Sequence, residues 1–284
     1  MIKLIASDID GTLINDEHQV TPYTKEIIQK AREQGIEFVI ATGRNYESAS
    51  EIAKQCGIDR EEMAIISLNG LRVEFPNAGY SVRAESMSYE ACKKMEEIGK
   101  KYFMGVMYAF EDVIYYHMDD VSFEDYRLGV PKERMVLFDD SLRSQRINGL
   151  EDIKHRFEHG SEILKMIYVQ NGDYTELVKN RIAREFGKEF TLMLVGVGWA
   201  EIMPRHVNKG AALLQYAASR GIQADEIIAF GDSDNDLTMI KKAGTGVAMA
   251  NARESLKIIA DDITSTNSEN GVAEYIEKHI LNQE

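Results

Sequence analysis

Asp8 and Asp10 stand two residues apart at the end of the apolar run Ile2-Lys3-Leu4-Ile5-Ala6-Ser7, and Gly11 and Thr12 follow them. Side chains two apart at a strand end share one side, and a glycine lets the backbone turn sharply around them. Two acids held that close repel, so at neutral pH the pair calls for a divalent cation or a proton. A second acid cluster, Asp232-Ser233-Asp234-Asn235-Asp236, closes the run Ile227-Ile228-Ala229-Phe230-Gly231. Helix capping explains one or two of these acids, not all three. A calcium loop of the EF-hand kind needs a longer loop and a distal glutamate. A magnesium site sharing Asp8 fits better, because Mg²⁺ takes few carboxylates and keeps positions for water and phosphate. Thr42-Gly43-Arg44 and Asn69-Gly70 end two further apolar runs, and Lys209 stands at a helix start, where a phosphate sits favourably.

The elements that must position these residues follow from periodicity. Mainly apolar runs without polar alternation at 2–7, 36–41, 64–68 and 227–230 read as strands buried on both faces, the habit of a parallel sheet covered by helices. Helix patterns lie between them: Thr21-Pro22 reads as an N-cap and first turn, Ile27, Ile28 and Ala31 form one face, and Gly35 closes it. In open sheets of this kind ligands bind off the carboxyl ends of the strands, where the polar residues fall. From about Val82 the rhythm changes. Ser88 caps a helix over 88–101, Val106–Tyr116 reads as a hairpin around Glu111-Asp112, and Ile163–Val169 reads as a strand. Asp173 and Glu176 suggest a capping box, and 190–195 and 199–203 a strand pair. The rhythm of the first part returns near Asn208 and closes with an amphipathic helix over 271–281. The expected architecture is therefore α/β, with a Rossmann-like parallel core over 1–82 and 197–284 and an inserted α+β domain over 83–196.

Composition narrows the partners. The 284 residues carry 33 Lys plus Arg against 47 Asp plus Glu, a net charge of −14, which makes nucleic acid a poor partner. Cys56 and Cys92 lie far apart in no metal or redox pattern, as free thiols of a reducing compartment do. No segment reaches membrane-spanning length. The expectation is a soluble, cytoplasmic protein whose partner is a small molecule and not a membrane.

Taken together, Asp8-Ile9-Asp10-Gly11-Thr12, Thr42-Gly43-Arg44, Lys209 and Gly231-Asp232-Ser233-Asp234-Asn235-Asp236 resemble the four motifs of the haloacid-dehalogenase-like phosphohydrolases, specifically the Cof-type small-metabolite phosphatases. The resemblance covers nearly the whole chain, including the insertion between the second and third motifs. His206, Leu71 and Ala250 depart from the residues usual in that group, all in loops near the motifs. The resemblance implies that Asp8 is the nucleophile, forming an aspartyl-phosphate, and Asp10 the general acid and base. It implies Mg²⁺ held by Asp8, the Asp10 carbonyl and Asp232. Phosphate would be gripped by Thr42, Asn235, Lys209 and the amides near Ile9 and Gly43. Asp236 would orient Lys209 or a metal-bound water.

The implied activity is Mg²⁺-dependent hydrolysis of small phosphorylated metabolites, sugar phosphates foremost, with the inserted domain reading the leaving group through candidates such as Tyr115, Tyr116, His117, Arg127 and Lys165. A dehalogenase would need neither magnesium nor Asp10. A phosphomutase shares all four motifs, and a phosphate-sensing regulator would also carry acids, a threonine and a lysine; both stay open at the level of sequence. If the acids hold the cation that makes turnover possible, excess chelator abolishes phosphate release and added Mg²⁺ restores it. Undiminished release in chelator would remove the metal from the chemistry.

Overall fold

The computed structural model describes residues 1–59, 62–75, 81–121, 123–124 and 144–282. In chain order the first part holds β1 (Leu4–Ser7), α1 (Pro22–Glu33), β2 (Glu37–Ala41), α2 (Tyr46–Gln55), β3 (Ala64–Ser67), β4 (Arg72–Glu74) and β5 (Ser81–Arg83). The middle holds α3 (Tyr89–Lys101), β6 (Gly105–Ala109), β7 (Ile114–His117), β8 (Ser144–Arg146), α4 (Lys154–Glu158), β9 (Lys165–Val169), α5 (Gly172–Phe186), β10 (Phe190–Gly196) and β11 (Trp199–Pro204). The last part holds α6 (Lys209–Ser219), β12 (Ile227–Gly231), α7 (Leu237–Lys242), β13 (Thr245–Met249), α8 (Glu254–Lys257), β14 (Asp262–Thr264) and α9 (Gly271–Ile276).

The chain divides into two compact units, Met1–Ala84 with Val207–Glu284, and Glu85–His206. The core unit carries one eight-stranded sheet in the order β14-β13-β12-β1-β2-β3-β4-β5, parallel throughout except for the antiparallel pairings of β4 with β3 and β5. Its central strands are the apolar runs read from the sequence, and every residue of β1, β3 and β12 is buried. Burial on both faces removes the need for polar alternation and leaves only strand ends free for chemistry. The Thr21 side chain accepts from the Thr24 amide, and Ile27, Ile28 and Ala31 face the core, as the capping pattern predicts. The helix expected over 271–281 is α9, continued by a wider turn over Glu277–Leu281.

The inserted unit is α+β, with a six-stranded sheet in the order β10-β11-β9-β6-β7-β8. The expected hairpin pairs Val106 with His117 and Ala109 with Ile114. Two details differ from expectation. The unit runs to His206 rather than to 196, because β11 pairs with both β10 and β9 and so belongs to their sheet. The helix expected to open at Asp173 in fact opens one residue earlier, with the Asn171 side chain accepting from the Asp173 amide. Asparagine there offers its oxygen to the first turn, which leaves Asp173 inside the helix. Among the described residues no helix is long and apolar enough to cross a membrane.

The strand order is what places the site. Ser7 lies level with Phe230 and Ile40 in the parallel ladder, so the loops after β1, β2 and β12 leave the same edge side by side. At α6 a close approach finishes the arrangement: a Cβ on Gly210 would overlap the Thr238 carbonyl oxygen, while the Gly210 amide donates to Thr238 Oγ1 at 3.1 Å. Gly210→Ala would push α6, which begins at Lys209, away from α7. Overpacking of this kind costs about 1–3 kcal/mol, so the variant unfolds at lower denaturant. A wild-type midpoint would show that the two helices separate freely.

Candidate active site

Asp8 leaves β1 with its amide bonded to the Phe230 carbonyl at 3.1 Å and its own carbonyl accepting from Ser7 Oγ at 2.8 Å. The next residues close a wide turn over Ile9–Leu13, with the Ile14 amide on the Ile9 carbonyl at 3.2 Å. Gly11 is required there twice over. Its φ is +71°, and a Cβ on it would lie 2.6 Å from Asp232 Oδ2. Asp8 is only 4% exposed, whereas the Asp10 side chain is 54% exposed. The turn thus sends one carboxylate inward and the other toward solvent.

Lys209 has no solvent exposure, and its Nζ donates to Asp8 Oδ1 at 2.6 Å and to Asp236 Oδ1 at 2.7 Å. Burial works against the ammonium, but the two carboxylates outweigh it and hold its pKa above the ordinary value. The second oxygen of Asp236 accepts from the Asp232 and Ser233 amides at 3.0 and 3.1 Å. Both oxygens of Asp236 are therefore engaged, which makes it an anchor for Lys209. Asp232 is held more loosely, by Thr12 Oγ1 at 3.3 Å and Ser233 Oγ at 3.0 Å. Burial and the neighbouring Asp236 push its carboxyl up to about 7. Burial, with Asp236, Asp232 and Asp10 around it, also raises Asp8 well above the carboxylate range, against the pull of Lys209.

One oxygen from each of Asp8, Asp232 and Asp236 lies within 4.8 Å of the others. Three carboxylates face one ammonium, so the cluster carries surplus negative charge that a hard divalent cation would neutralise. All-oxygen donors suit Mg²⁺ or Ca²⁺ better than softer metals. Asp236 accepts from the ammonium and from two backbone amides, so Asp8 and Asp232 keep more lone-pair capacity for an ion.

The other candidates lie on the neighbouring loops. Thr42 is fully buried, and its Oγ1 accepts from the Arg44 amide at 3.1 Å. Asn235 Nδ2 donates to Asn69 Oδ1 at 3.1 Å, while Asn235 Oδ1 is buried without a partner. A Cβ on Gly43 would come within 3.2 Å of the same Asn69 oxygen. Ile9 is fully buried at the turn beside Asp8. Two contacts escaped the reading of motif positions. Arg44 takes Asp10 in a two-point fork, Nε to Oδ2 at 2.8 Å and Nη2 to Oδ1 at 2.5 Å. Asn69 joins the Thr42 and Asn235 segments. The only sequence signal for either is its place at a strand end.

In the inserted unit Tyr115 is a core residue, edge-on to Phe110 at 5.9 Å, and Tyr116 stacks on Phe123 at 6.0 Å. His117 is half-buried with its pKa lowered by that burial, and Lys165 pairs with Glu201. Arg127 lies outside the described residues.

The fold is a parallel α/β core with an inserted α+β unit, and its strand ends gather acids around a buried lysine, an arrangement of the hydrolase class. Comparison with known proteins agrees. Residues 5–276 match the haloacid dehalogenase-like hydrolase family, and the chain belongs to it. Phosphatase YwpJ of Bacillus subtilis is 31% identical over 99% of this chain and 100% of its own. From the same organism, 5-amino-6-(5-phospho-D-ribitylamino)uracil phosphatase YitU is 28% identical over 97% of each chain. A solved haloacid dehalogenase-like hydrolase of B. subtilis superposes with a TM-score of 0.78 at 29% identity, over 99% of this chain and 100% of that one. The family read from the four motifs is borne out, and the chain is a phosphatase of that family.

The Asp232 shift has a consequence for stability. Its carboxyl is held at about 7 in the fold, against roughly 3.9 in an unfolded chain. A raised acid favours folding below the unfolded value, and that contribution is lost as pH rises through the folded one. In chelator, Asp232→Asn therefore gains stability relative to wild type between about pH 4 and about pH 7. Denaturant titrations across that range check it; a constant difference would mean that Asp232 titrates as an ordinary carboxylate.

Proposed function

We propose that this chain is a Mg²⁺-dependent phosphomonoesterase of the cytoplasm, acting on small phosphorylated metabolites, sugar and sugar-alcohol phosphates foremost, through an aspartyl-phosphate on Asp8. The observation that carries the reading is the buried Asp8–Lys209–Asp236 chain beside Asp232, whose oxygens meet only hydroxyls among the described residues. A nucleophile oriented by a buried cation, next to acids that want a second one, suits attack on a dianionic ester. The substrate class is supported by the YitU likeness, since that relative is named for a phosphate ester on a ribityl chain.

Asp8, Asp232 and the Asp10 carbonyl would hold Mg²⁺. When bound it offsets the repulsion between the Asp8 carboxylate and the incoming phosphate. An Asp8 oxygen attacks phosphorus in line, and the bond to the leaving alkoxide breaks. Asp10 gives its proton to that alkoxide, then takes one from the water that attacks the aspartyl-phosphate, so inorganic phosphate leaves and both carboxyls return to their starting states. To act in this way Asp10 must leave the Arg44 fork, which holds both its oxygens. Lys209, Thr42, Asn235 and the amides of Ile9 and Gly43 grip the equatorial oxygens, where charge spreads. Asp236 keeps Lys209 aimed. Residues 85–206 select the leaving group, since every motif residue lies outside them.

Two variants test this assignment. Asp8→Asn cannot form the intermediate and shows no turnover. Asp10→Asn keeps the backbone carbonyl but loses the proton. Its single-turnover burst from a sugar phosphate, a poor leaving group, slows by ~10²–10⁴-fold, while the burst from p-nitrophenyl phosphate is much less impaired. Equal slowing of both bursts would assign Asp10 to positioning and send the proton donor elsewhere.

A further inference from the structure

The turn after β3 holds three successive residues in the left-handed region: Leu68 at φ +51°, Asn69 at +56° and Gly70 at +96°. Glycine takes that conformation freely and asparagine tolerates it, but a leucine does not. Such backbone persists only where its surroundings over-determine it, and it clusters at functional sites. Here the surroundings are three segments of the active site. The Asn69 amide donates to the Thr42 carbonyl and the Leu68 amide to the Arg44 carbonyl, each at 2.9 Å. A Cβ on Gly70 would lie 2.6 Å from the Asn208 carbonyl oxygen, so the turn rests directly on the start of α6, one residue before Lys209. The Asn69 side chain is fully buried and accepts from Asn235 Nδ2 at 3.1 Å.

We infer that Asn69 is a positioning residue for phosphate recognition, acting through the amide of Asn235. A side-chain amide presents a donor on one edge and an acceptor on the other, and its neighbours choose between the two orientations. The Asn69 oxygen accepts only, so it holds the nitrogen of Asn235 toward itself. The second N–H of that nitrogen is then left for a phosphate oxygen. A flipped Asn235 would set oxygen against oxygen at Asn69 and offer an acceptor to a dianion. The left-handed turn is the device that brings the Asn69 side chain to this spot while tying down Thr42 on the other side. The inference rests on the proposed phosphate role of Asn235 and deepens it.

Asn69→Gly is the cleanest test, because glycine keeps the left-handed turn without strain and removes only the amide. Inhibition by inorganic phosphate is measured on the Mg²⁺-loaded enzyme, well below the thermal midpoint of each variant, for Asn69→Gly, Asn235→Ala and the double variant. A lost hydrogen bond to a charged ligand corresponds to roughly tenfold or more in affinity, so each single variant should weaken phosphate by about that factor. The double variant should be no worse than Asn235→Ala, since both changes remove one coupled interaction. A purely structural role would lower the thermal midpoint and leave phosphate affinity at the wild-type value. Asn69→Ser, whose side chain is too short to reach Asn235, repeats the test if the glycine variant does not fold. Undiminished phosphate binding in Asn69→Gly or Asn69→Ser, with Asn235→Ala weakened, would overturn this inference alone. Undiminished binding in Asn235→Ala would overturn the phosphate assignment of Asn235 and this inference with it.

Discussion

A lysine ammonium with no access to water, gripped between Asp8 and Asp236, is the constraint on which the core unit depends. A buried charge is costly unless it is paired and hydrogen-bonded, and removing one partner of such a pair typically costs ~3–5 kcal/mol. Three segments are therefore locked to one another: the end of β1, the start of α6 and the loop after β12. Lys209 and Asp8 are 201 residues apart in the chain. The parallel pairing of β1 with β12 brings their loops together, and absent side chains let them close. A Cβ on Gly231 would fall 2.5 Å from that of Asp236, and one on Gly11 would meet Asp232.

Chemically identical side chains acquire different capacities from this packing. Asp236 has both oxygens engaged, one by the Lys209 ammonium and the other by two backbone amides. Asp234 is turned aside, with Oδ1 accepting from Ser255 Oγ at 3.2 Å. Asp10 is outside in an arginine fork, with its side chain 54% exposed to solvent. Asp8 and Asp232 are left as inward carboxylates whose burial favours a proton or a cation. The affinity for a divalent ion that this arrangement implies is a by-product of burying more acid than base. The same surplus would repel any further anion brought close to it, a repulsion that the Lys209 ammonium offsets in part.

The loops off the strand ends also keep binding apart from stability. The apolar strands supply the core, while the polar groups sit where backbone pairing has ended and amides are free to turn toward a ligand. One such loop, Leu68-Asn69-Gly70, holds three successive left-handed residues, fixed there by backbone bonds to the Thr42 and Arg44 carbonyls.

Much of this was legible in the chain alone, because burial on both faces writes itself into contiguous residues. Runs such as Ile227-Ile228-Ala229-Phe230 became strands, Thr21 and Ser88 became caps, and Asp8, Lys209 and Asp232, singled out by type and place, lie together in the fold. What the chain could not declare was which donors each of Asp232, Asp234 and Asp236 accepts from, since those amides and hydroxyls are brought in by folding. The fork between Arg44 and Asp10 and the bond between Asn69 and Asn235 join residues 34 and 166 positions apart. Likewise the limit of the inserted unit at His206 was decided by the pairing of β11 with β9, a choice of sheet partner rather than of local propensity. Periodicity reports what a residue's immediate neighbours require. Partners across a sheet edge are set by strand order, and only the folded chain has one.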